Sequence, residues 1–525
     1  MSRKVIPWRM ETTVRKLIRW QWRVARRRQM FEALKYRFLL LTALLAVLGV
    51  PEAAGGEKNA PPPNILFIAI DDLNDWVGFL DGHPQVRTPN MDRLAARGTV
   101  FTNAHCAAPI CGPSRAAIFS GLLPTTTGIY NNGQNIQKKK PGLVYLPQHF
   151  AKNGYSTFGT GKLLHKSSSG IFEKFFSTEQ RWSPLSKKQV TYTKKELPSK
   201  GGEPRHEIKA GGKTIILPLN RMPSDRAPDD PKGESFDWGS FDVGDDEMGD
   251  GKITSWACER LRKKKEKPFF LAVGYYRPHI PLFAPRKYFE GYPEESISLP
   301  PASEGDLDDL EAAGRKTALE AVTAGAHATV LKHGQWKAAV RAYLACVTFV
   351  DAQVGRLLEA LEKGPHADNT IVVLWSDHGW HLGEKQHWGK WTGWERSTRV
   401  PLLIVPAAGQ PATKKWAGQR TPSPVSLVDL YPTLIDLAGL PGGKDLDGRS
   451  IKPLLENPGT DTGRAVVTTF GKDRHTIRSE SWRLIRYEDG TRELYNLSSD
   501  PNEWKNLAGK LEHSRIEARL ASKLP

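Results

Sequence analysis

The chain has 525 residues, of which 39% are hydrophobic and 25% are charged, a balance that is ordinary for a folded globular protein. Its formal net charge is +18, but residues 1–37 hold 12 Lys and Arg against 2 Asp and Glu, so they contribute +10 and the remainder +8. That remainder is only mildly basic and carries no nucleic-acid-binding motif, so nucleic acid is not an expected partner. The length predicts one large domain and one small one.

The N-terminal segment, residues 1–56, has the pattern of a targeting signal. Basic residues as far as Arg37 precede an apolar run at 38–50, and small residues follow it. This run is too short to span a bilayer comfortably and suits the core of a signal peptide. We therefore expect an exported protein, periplasmic or extracellular, that starts at Met1 or Met30. The alternative is an uncleaved anchor, and any membrane attachment would then run through this segment.

Short apolar runs predict buried parallel strands, and two of these runs end in acidic residues. Asn64–Ile70 leads directly into Asp71 and Asp72, and the run at 370–375 leads into Asp377 and His378. Further strands are predicted at 155–159, 268–274 and 401–406. Helices are predicted at 91–98, 114–121, 143–153 and 426–440, and a long helix is predicted to have an apolar face that runs from Val347 to Leu361. This alternation predicts an α/β fold with a large, mostly parallel central sheet flanked by helices.

Changes in composition suggest the domain organisation. Residues 62–460 form the predicted large domain, and 461–525 a small α+β C-terminal subdomain. In the latter, two strand patterns at 482–487 and 492–497 flank a hairpin turn, and a terminal helix follows. The stretch 166–250 has few periodic segments, so we expect long surface loops and insertions there, and 301–335 is predicted to be another insertion, acidic at its start.

The acidic strand ends predict a cation site. Functional groups in open α/β sheets gather at the carboxyl ends of strands, and Asp71, Asp72 and Asp377 would repel one another there without a cation between them. Oxygen ligands favour hard ions such as Ca²⁺ or Mg²⁺, whereas the imidazole of His378 suits softer metals better. Each Asp alone would more simply be a cap or turn residue.

Four basic side chains are candidates for binding an anion beside this cation: Lys162, His165, His279 and Lys390. His279 stands between two prolines after a predicted strand, where a titratable ring is useful as an acid or base. Two lysines, two histidines and a divalent cation are what a tetrahedral dianion or sulfuryl group requires. His387, in the same segment as Lys390, is a candidate for the substrate rim.

The four cysteines show no Cys-x-x-Cys pair and no zinc spacing, so neither a disulfide framework nor a zinc site is expected. Cys111 differs from the others because it opens the run Cys111-Gly-Pro-Ser-Arg115. Pro and Ser here suit the start of a helix, whose dipole, with Arg115, favours an anionic group at Cys111. The alternative is an ordinary loop-to-helix junction with a buried thiol.

Together these motifs resemble the formylglycine-dependent (type I) sulfatases of the alkaline-phosphatase superfamily. Cys111-x-Pro-Ser-Arg115 is similar to the family's modification motif, and Gly121-Leu-Leu-Pro124 with Thr127-Gly128 continues its signature. The resemblance covers about residues 62–510. It also matches the remaining positions of the family's site, namely Asp71, Asp72, Lys162, His165, His279, Asp377, His378 and Lys390.

This resemblance implies one Ca²⁺ per subunit, with metal ligands at Asp71, Asp72, Cys111, Asp377 and His378. It also implies that Cys111 is converted to formylglycine by a formylglycine-generating or anaerobic sulfatase-maturing enzyme. Lys162 and Lys390 would hold the sulfate. His279, together with Lys390, would protonate the leaving sugar oxygen, and His165 would deprotonate the second hydroxyl of the hydrated aldehyde. Arg115 would orient the modified residue.

Within the family, the pattern is most similar to iduronate-2-sulfatase and its bacterial relatives. His378, the Trp380 that follows it, and the two-residue gap between Lys162 and His165 carry this similarity, although Leu163-Leu164 departs from the usual aromatic-containing gap. The implied function is a sulfuric ester hydrolase that removes sulfate from a sulfated sugar or polysaccharide. Two alternatives remain: a phosphonate or phosphate monoester hydrolase of the same superfamily, and a non-catalytic sulfoglycan-binding protein whose Cys111 is never modified.

Overall fold

The computed structural model describes residues 61–525 except 167, 169, 194–205, 211, 224, 226–235, 324, 410–412 and 444. The segment predicted to be a targeting signal, 1–56, lies outside these residues. Contacts join Pro62–Pro525 into one unit. Among the described helices, none is long and apolar enough to cross a membrane.

The centre of this unit is an eight-stranded sheet in which seven strands run in parallel and Leu402–Val405 runs antiparallel to both neighbours. This confirms the predicted α/β fold with a mostly parallel sheet. From one edge to the other, the strands are Gln419–Thr421, Thr99–Phe101, Leu402–Val405, Thr370–Ser376, Asn64–Ile70, Phe269–Tyr275, Ser156–Gly161 and Lys174–Phe176.

Both faces of the sheet are covered, because alternate side chains of the central strand Asn64–Ile70 enter two separate cores. Leu66 and Ile68 pack in one core, with the long helix Trp336–Glu362. Ile65 and Phe67 pack in the other, with the helix Cys111–Ser120.

The described helices are mostly short, and the longest has 27 residues. The α-helices are Pro89–Ala95, Cys111–Ser120, Pro124–Thr127, Ile136–Lys139, Leu146–Lys152, Lys187–Thr193, Gly249–Arg262, Arg286–Glu290, Ala312–Leu319, His327–Lys332, Trp336–Glu362, Glu395–Thr398, Thr413–Trp416, Leu430–Leu437, Lys452–Glu456 and Ser514–Ala521. Single 3₁₀ turns occur at Gly78–Leu80, Asp245–Glu247, Glu294–Ser296, Ala367–Asn369, Glu384–Gln386, Leu427–Asp429 and Leu511–His513.

The stretch 166–250 contains more regular structure than the loops expected from its sequence. Lys174–Phe176 forms an edge strand of the central sheet, and His206–Ala210 and Lys213–Leu217 form a hairpin. A small apolar cluster lies beneath this stretch and includes Trp182 and Phe283. Strands of three to five residues with Lys and Gly between them are too short to show a periodic pattern, so the sequence did not indicate them.

The C-terminal part is a four-stranded antiparallel sheet with the helix Ser514–Ala521 after it. Its strands are Val466–Gly471, Arg474–Arg478, Trp482–Arg486 and Arg492–Asn496, and the last two form the predicted hairpin. The remaining strands form two-stranded pairs: Ala104–His105 with Val425–Ser426, Trp238–Phe241 with Leu282–Pro285, and His381–Leu382 with Trp388–Gly389.

Candidate active site

The site lies at the carboxyl ends of two neighbouring strands, Asn64–Ile70 and Thr370–Ser376. These strands pair in parallel with Ile70 opposite Ser376, so the residues after them emerge side by side. The amide of Asp72 donates a 3.1 Å hydrogen bond to Oδ1 of Asp377 and joins the two strand ends. The structure thus brings together the acidic residues that the sequence placed at separate strand ends.

Cys111 is the first residue of the helix Cys111–Ser120, and it is completely buried. Its Sγ lies 3.1 Å from Nζ of Lys390, 3.3 Å from Nε2 of His378 and 3.5 Å from Nζ of Lys162. The positive end of the helix and two ammonium groups therefore surround this position, which favours an anion there.

Four side chains could share one cation, namely Asp71, Asp72, Cys111 and His378, whose ligand atoms all lie within 4.8 Å of one another. Oδ2 of Asp72 is buried and accepts no hydrogen bond from the described residues. Burial raises the pKa of Asp72 to about 7, although Lys390 opposes this shift. A buried carboxylate oxygen without a hydrogen-bond partner, beside a second carboxylate, fits a divalent cation.

The carboxylate of Asp377 lies beside this group and is already hydrogen-bonded. Its Oδ2 accepts from Nε of Arg115 at 2.7 Å, and its Oδ1 accepts from the amides of Asp72 and His378, each at 3.1 Å. Oδ2 is also 3.7 Å from Nε2 of His378. Its role as a metal ligand therefore stays a prediction.

Arg115 is completely buried and connects several parts of the site. Besides Asp377, its guanidinium binds Oδ1 of Asp71 at 3.1 Å and the carbonyl oxygens of Lys162 and Leu163. Burial alone would lower the pKa of Arg115, but the two carboxylates raise it. Arg115 therefore ties the start of the helix to both strand ends.

Both predicted lysines point at the site. Lys390 Nζ lies 2.7 Å from Oδ1 of Asp72, and Lys162 Nζ forms an ion pair with Oδ2 of Asp71. Burial opposes the ammonium form of Lys390, yet the charges of Asp72 and then Cys111 raise its pKa. Burial also acts to raise the pKa of Asp71, but Lys162 and Arg115 hold it well below its usual range.

The two predicted histidines occupy different positions. His279 is buried, with Nε2 3.8 Å from Oδ2 of Asp72, and its Nδ1 is 2.6 Å from the carbonyl of Ile280. Because a carbonyl only accepts, Nδ1 carries the proton and Nε2 faces the site. Burial, then Lys162 and Lys390, holds the pKa of His279 well below its usual range.

His165 is half-buried and lines a small cavity together with Gly112, next to Cys111. Its Nδ1 is buried, and the described residues offer it no hydrogen-bond partner. Burial, with the charges of Lys162 and Lys390, lowers the pKa of His165 to about 3. The imidazole is therefore neutral at physiological pH.

The expectation that His387 belongs to the substrate rim is wrong, because this side chain is buried. Its Nδ1 lies 2.9 Å from the carbonyl of Ala318 and its Nε2 3.1 Å from that of Lys390. Its ring contacts the backbone carbonyl of Lys390 and so helps to hold the Lys390 backbone in place.

Three side chains that the sequence did not indicate also hold the site. Tyr343 donates to the carbonyl of Asp72 at 2.8 Å, Asn132 accepts from the amide of Gly112 at 2.7 Å, and the Tyr276 ring packs against His279. Tyr343 lies on the apolar face of a helix and Asn132 in a loop, so neither stands in a pattern that marks a site. Tyr276 comes three positions before His279, and this closeness in sequence could have indicated that it belongs to the site.

The fold, a mostly parallel sheet with carboxylates, lysines and histidines at its carboxyl edge, is alkaline-phosphatase-like. The phosphonate monoester hydrolase of Agrobacterium radiobacter shares this fold, with a TM-score of 0.66 at 20% identity over 88% of this chain and 94% of that one.

The chain belongs to the sulfatase family. The family profile described as Sulfatase matches residues 63–440, and the profile described as N-sulphoglucosamine sulphohydrolase, C-terminal, matches 383–525. A sulfatase of Formosa agariphila is 37% identical over 496 residues, which cover 92% of this chain and 90% of that protein. The iduronate 2-sulfatase of Mus musculus is 32% identical over 427 residues, covering 75% of this chain and 72% of that protein.

Proposed function

We propose that this sulfatase removes sulfate from a sulfated sugar or polysaccharide and is of the iduronate-2-sulfatase type. The observation that carries the proposal is the position of Cys111, whose buried Sγ lies within 3.5 Å of nitrogen atoms of Lys162, His378 and Lys390. Preorganised positive charge of this kind is what an anionic ester and its transition state require. The similarity to the mouse iduronate 2-sulfatase supports a sulfated sugar as the substrate.

The proposed nucleophile is a formylglycine made from Cys111 by a formylglycine-generating or anaerobic sulfatase-maturing enzyme. The Cys-x-Pro-Ser-Arg pattern at 111–115 supports this modification. Hydration of the aldehyde would provide two hydroxyl groups on the carbon that now carries Sγ. These hydroxyls would lie between the ammonium groups of Lys162 and Lys390.

In the proposed reaction, one hydroxyl releases its proton to water, and its oxygen forms a bond to sulfur while the bond from sulfur to the sugar oxygen breaks. His279 gives the leaving oxygen its proton, because Nε2 faces the site and an anionic ester beside it favours the imidazolium. His165 then takes the proton of the second hydroxyl. The bond from carbon to the sulfate oxygen breaks, and the aldehyde is restored.

We further propose one Ca²⁺ per chain, held by Asp71, Asp72, His378 and the residue at 111, with Asp377 as a further ligand. The partnerless oxygen of Asp72 supports this site. The ion, when bound, supplies positive charge that lowers the pKa of a nearby hydroxyl and offsets charge on the sulfate oxygens.

Replacement of Cys111 by Ala tests the function. We expect hydrolysis of 4-methylumbelliferyl sulfate to fall by at least about a thousandfold, because the nucleophile is lost while Lys162 and Lys390 remain. A free-energy change within about 1 kcal/mol on urea unfolding would show that the fold is intact. The control is Cys258→Ala, which removes a thiol outside the site and should leave activity unchanged. Turnover by Cys111→Ala at the unaltered rate would contradict the proposal.

Mass spectrometry of the peptide that contains residue 111 tests the modification separately. After expression in a modification-competent host, the aldehyde mass supports an enzyme. An intact thiol favours the alternative of a sulfoglycan-binding protein without activity.

A second candidate is hydrolysis of phosphate or phosphonate monoesters, which the likeness of fold to the Agrobacterium radiobacter hydrolase favours. The same lysines and cation could hold a phosphoryl group. Comparison of kcat/KM for 4-methylumbelliferyl sulfate, 4-methylumbelliferyl phosphate and a phenyl phosphonate ester distinguishes the two. Higher turnover of either phosphorus ester would favour the second candidate.

We also propose that the protein is exported to the periplasm or the extracellular space, which the basic and apolar pattern of residues 1–56 supports. Sequencing of the mature N-terminus should find it beyond about residue 50. Retention of Met1 would contradict cleavage.

A further inference from the structure

Tyr276 lies at the edge of the site, and its ring contacts four cationic or titratable side chains, one of which is the buried Arg277 with its guanidinium carbon 5.4 Å from the ring centre. Its ring centre is 4.9 Å from Nζ of Lys162 and 4.6 Å from the centre of the His279 ring. The guanidinium carbon of Arg181 lies 5.9 Å from the same ring centre. Nε of Arg181 donates a 2.5 Å hydrogen bond to the Tyr276 hydroxyl. Arg181 thus stands next to the residues that are proposed to hold and protonate the ester.

Buried contacts fix the backbone on which Arg181 stands. Nη2 of the buried Arg277 donates to the carbonyl oxygens of Arg181 at 3.1 Å and Ser183 at 3.2 Å. The Gln180 side chain donates at 3.0 Å to the carbonyl of Gly274, in a central strand. Both sequence neighbours of Arg181 are buried, while Arg181 itself is exposed. Arg181 is therefore a solvent-accessible residue on a fixed backbone, and its guanidinium is partly buried against Tyr276.

The guanidinium has capacity for a further ligand. Within the described parts of the chain, its one hydrogen bond is to Tyr276, and it forms no ion pair. Arginine carries five N–H donors in a planar fork that matches a carboxylate or sulfate. The phenol of Tyr276 raises the pKa of Arg181 most, burial opposes this shift, and the charges of Cys111 and Asp71 add to it.

We propose that Arg181 is a specificity-determining residue that binds a second anionic group of the substrate, a carboxylate or a further sulfate. Lys162 and Lys390 would hold the scissile sulfate at the same time. This inference rests on the proposed function and deepens it, because it names the residue that would bind an acidic group of the sugar beside the scissile sulfate. The competing explanation is that Arg181 only orients Tyr276.

Calorimetric titration of the Cys111→Ala protein tests the proposal, because this variant binds sugars without consuming them. The ligands are two matched pairs: a 2-O-sulfated uronic acid with its carboxyl-reduced counterpart, and a disulfated hexosamine with its monosulfated counterpart. In at least one pair, we expect the ligand with the second anion to bind about tenfold or more tightly. The pair that shows this ratio identifies the second anion.

Adding Arg181→Gln should bring that affinity ratio close to one, and Arg181→Lys should keep part of it, because the charge remains and the fork is lost. The matched control is Arg515→Gln, which removes an exposed charge from the helix Ser514–Ala521 and should leave the ratio unchanged. Equal affinities within both pairs, no binding of any of these sugars, or a ratio that Arg181→Gln does not change would each overturn the proposal.

Hydrolysis of 4-methylumbelliferyl sulfate by the unaltered chain is measured in parallel. No hydrolysis counts against the proposed function itself. Hydrolysis together with an unaffected affinity ratio counts against Arg181 alone.

Discussion

Arg115 shows how one side chain can organise the whole site. It is buried between Asp71 and Asp377, and it also binds two backbone carbonyls of the segment that carries Lys162. A buried network of charged side chains stabilises the fold little more than apolar side chains of the same volume would. Removal of one charged member nevertheless destabilises the fold strongly, because the charges of its partners stay buried. Arg115 is thus needed for stability, because without it the carboxylates of Asp71 and Asp377 would stay buried without the cation that they share.

We expect Arg115→Met to lower the free energy of unfolding by about 3–5 kcal/mol, because Asp71 and Asp377 would be left without their shared cation. Arg115→Lys should lose less, since it keeps the charge but not the planar fork. Urea unfolding at pH 7 measures both variants. The exposed Arg515→Met serves as the control and should change the free energy by less than about 0.5 kcal/mol. A loss below about 1 kcal/mol in Arg115→Met would contradict this role.

The sequence predicted much of the site because each chemical group follows a recognisable local pattern. Asp71 and Asp377 come directly after buried strands, and Cys111 opens a helix. The contribution of Tyr343 could not be predicted in this way, because its hydroxyl meets Asp72 across 271 positions of the chain. The burial of His387 could not be predicted either, because its partner Ala318 is 69 positions away in the chain.

At the level of elements, the long helix Trp336–Glu362 both builds a core and supports the acidic strand end. Tyr343 on this helix is fully buried, donates to the carbonyl of Asp72 at 2.8 Å and accepts from the amide of Asn74 at 2.9 Å. Asp72 has a φ of 60°, in the left-handed region that residues other than glycine seldom adopt. The helix therefore helps to hold Asp72 in an unfavourable conformation.

Tyr343→Phe should lower the free energy of unfolding by about 1–3 kcal/mol, because it leaves a buried amide and a buried carbonyl without partners. It should also weaken Ca²⁺ binding, since Asp72 is less firmly placed. Urea unfolding and calorimetric Ca²⁺ titration give the two readouts. Tyr292→Phe, which removes a hydroxyl 2.7 Å from Oγ1 of Thr348 on the same helix, is the matched control and should keep Ca²⁺ affinity. Equal Ca²⁺ affinity in both variants would contradict the role of Tyr343.

The long apolar strands of the sheet could be predicted from the sequence, whereas its short strands could not. Asn64–Ile70 and Thr370–Ser376 each have seven buried residues, and the sequence indicates them directly. Lys174–Phe176 has three residues and an exposed edge, so it forms only because the neighbouring strand Ser156–Gly161 offers hydrogen bonds. Its position depends on tertiary contacts that no local pattern contains.

Across the whole molecule, several buried histidines are held in the neutral form. Burial lowers the pKa of His327 and of His475 to about 4, and it holds those of His105 and His381 well below the usual range. At these four histidines the unfolded chain, with ordinary pKa values near 6.5, binds more protons than the folded one as the pH falls below about 6.5. The stability that these histidines contribute is therefore full above about pH 6.5 and declines as the pH falls toward about 4.

His327 provides a test of this pH dependence. Its Nδ1 accepts a 2.9 Å hydrogen bond from Nε1 of Trp388, which protonation would break. We expect His327→Asn to flatten the fall in unfolding free energy between pH 6.5 and 4 by about 1–3 kcal/mol. Urea unfolding at pH intervals measures the slope for both proteins. An unchanged slope in the variant would contradict the assignment of His327 to this window.

The complete burial of Cys111 has a consequence for the order of events during synthesis. Every residue of its helix is buried, and Arg115 closes the helix start against two strand ends. A second enzyme that acts on the thiol needs it outside this packed arrangement. If Cys111 is converted to formylglycine, the conversion must therefore come before its helix packs against the two strand ends. The time between synthesis and folding then sets the fraction of molecules that carry formylglycine. Any chain that folds first would retain the thiol until it unfolds again.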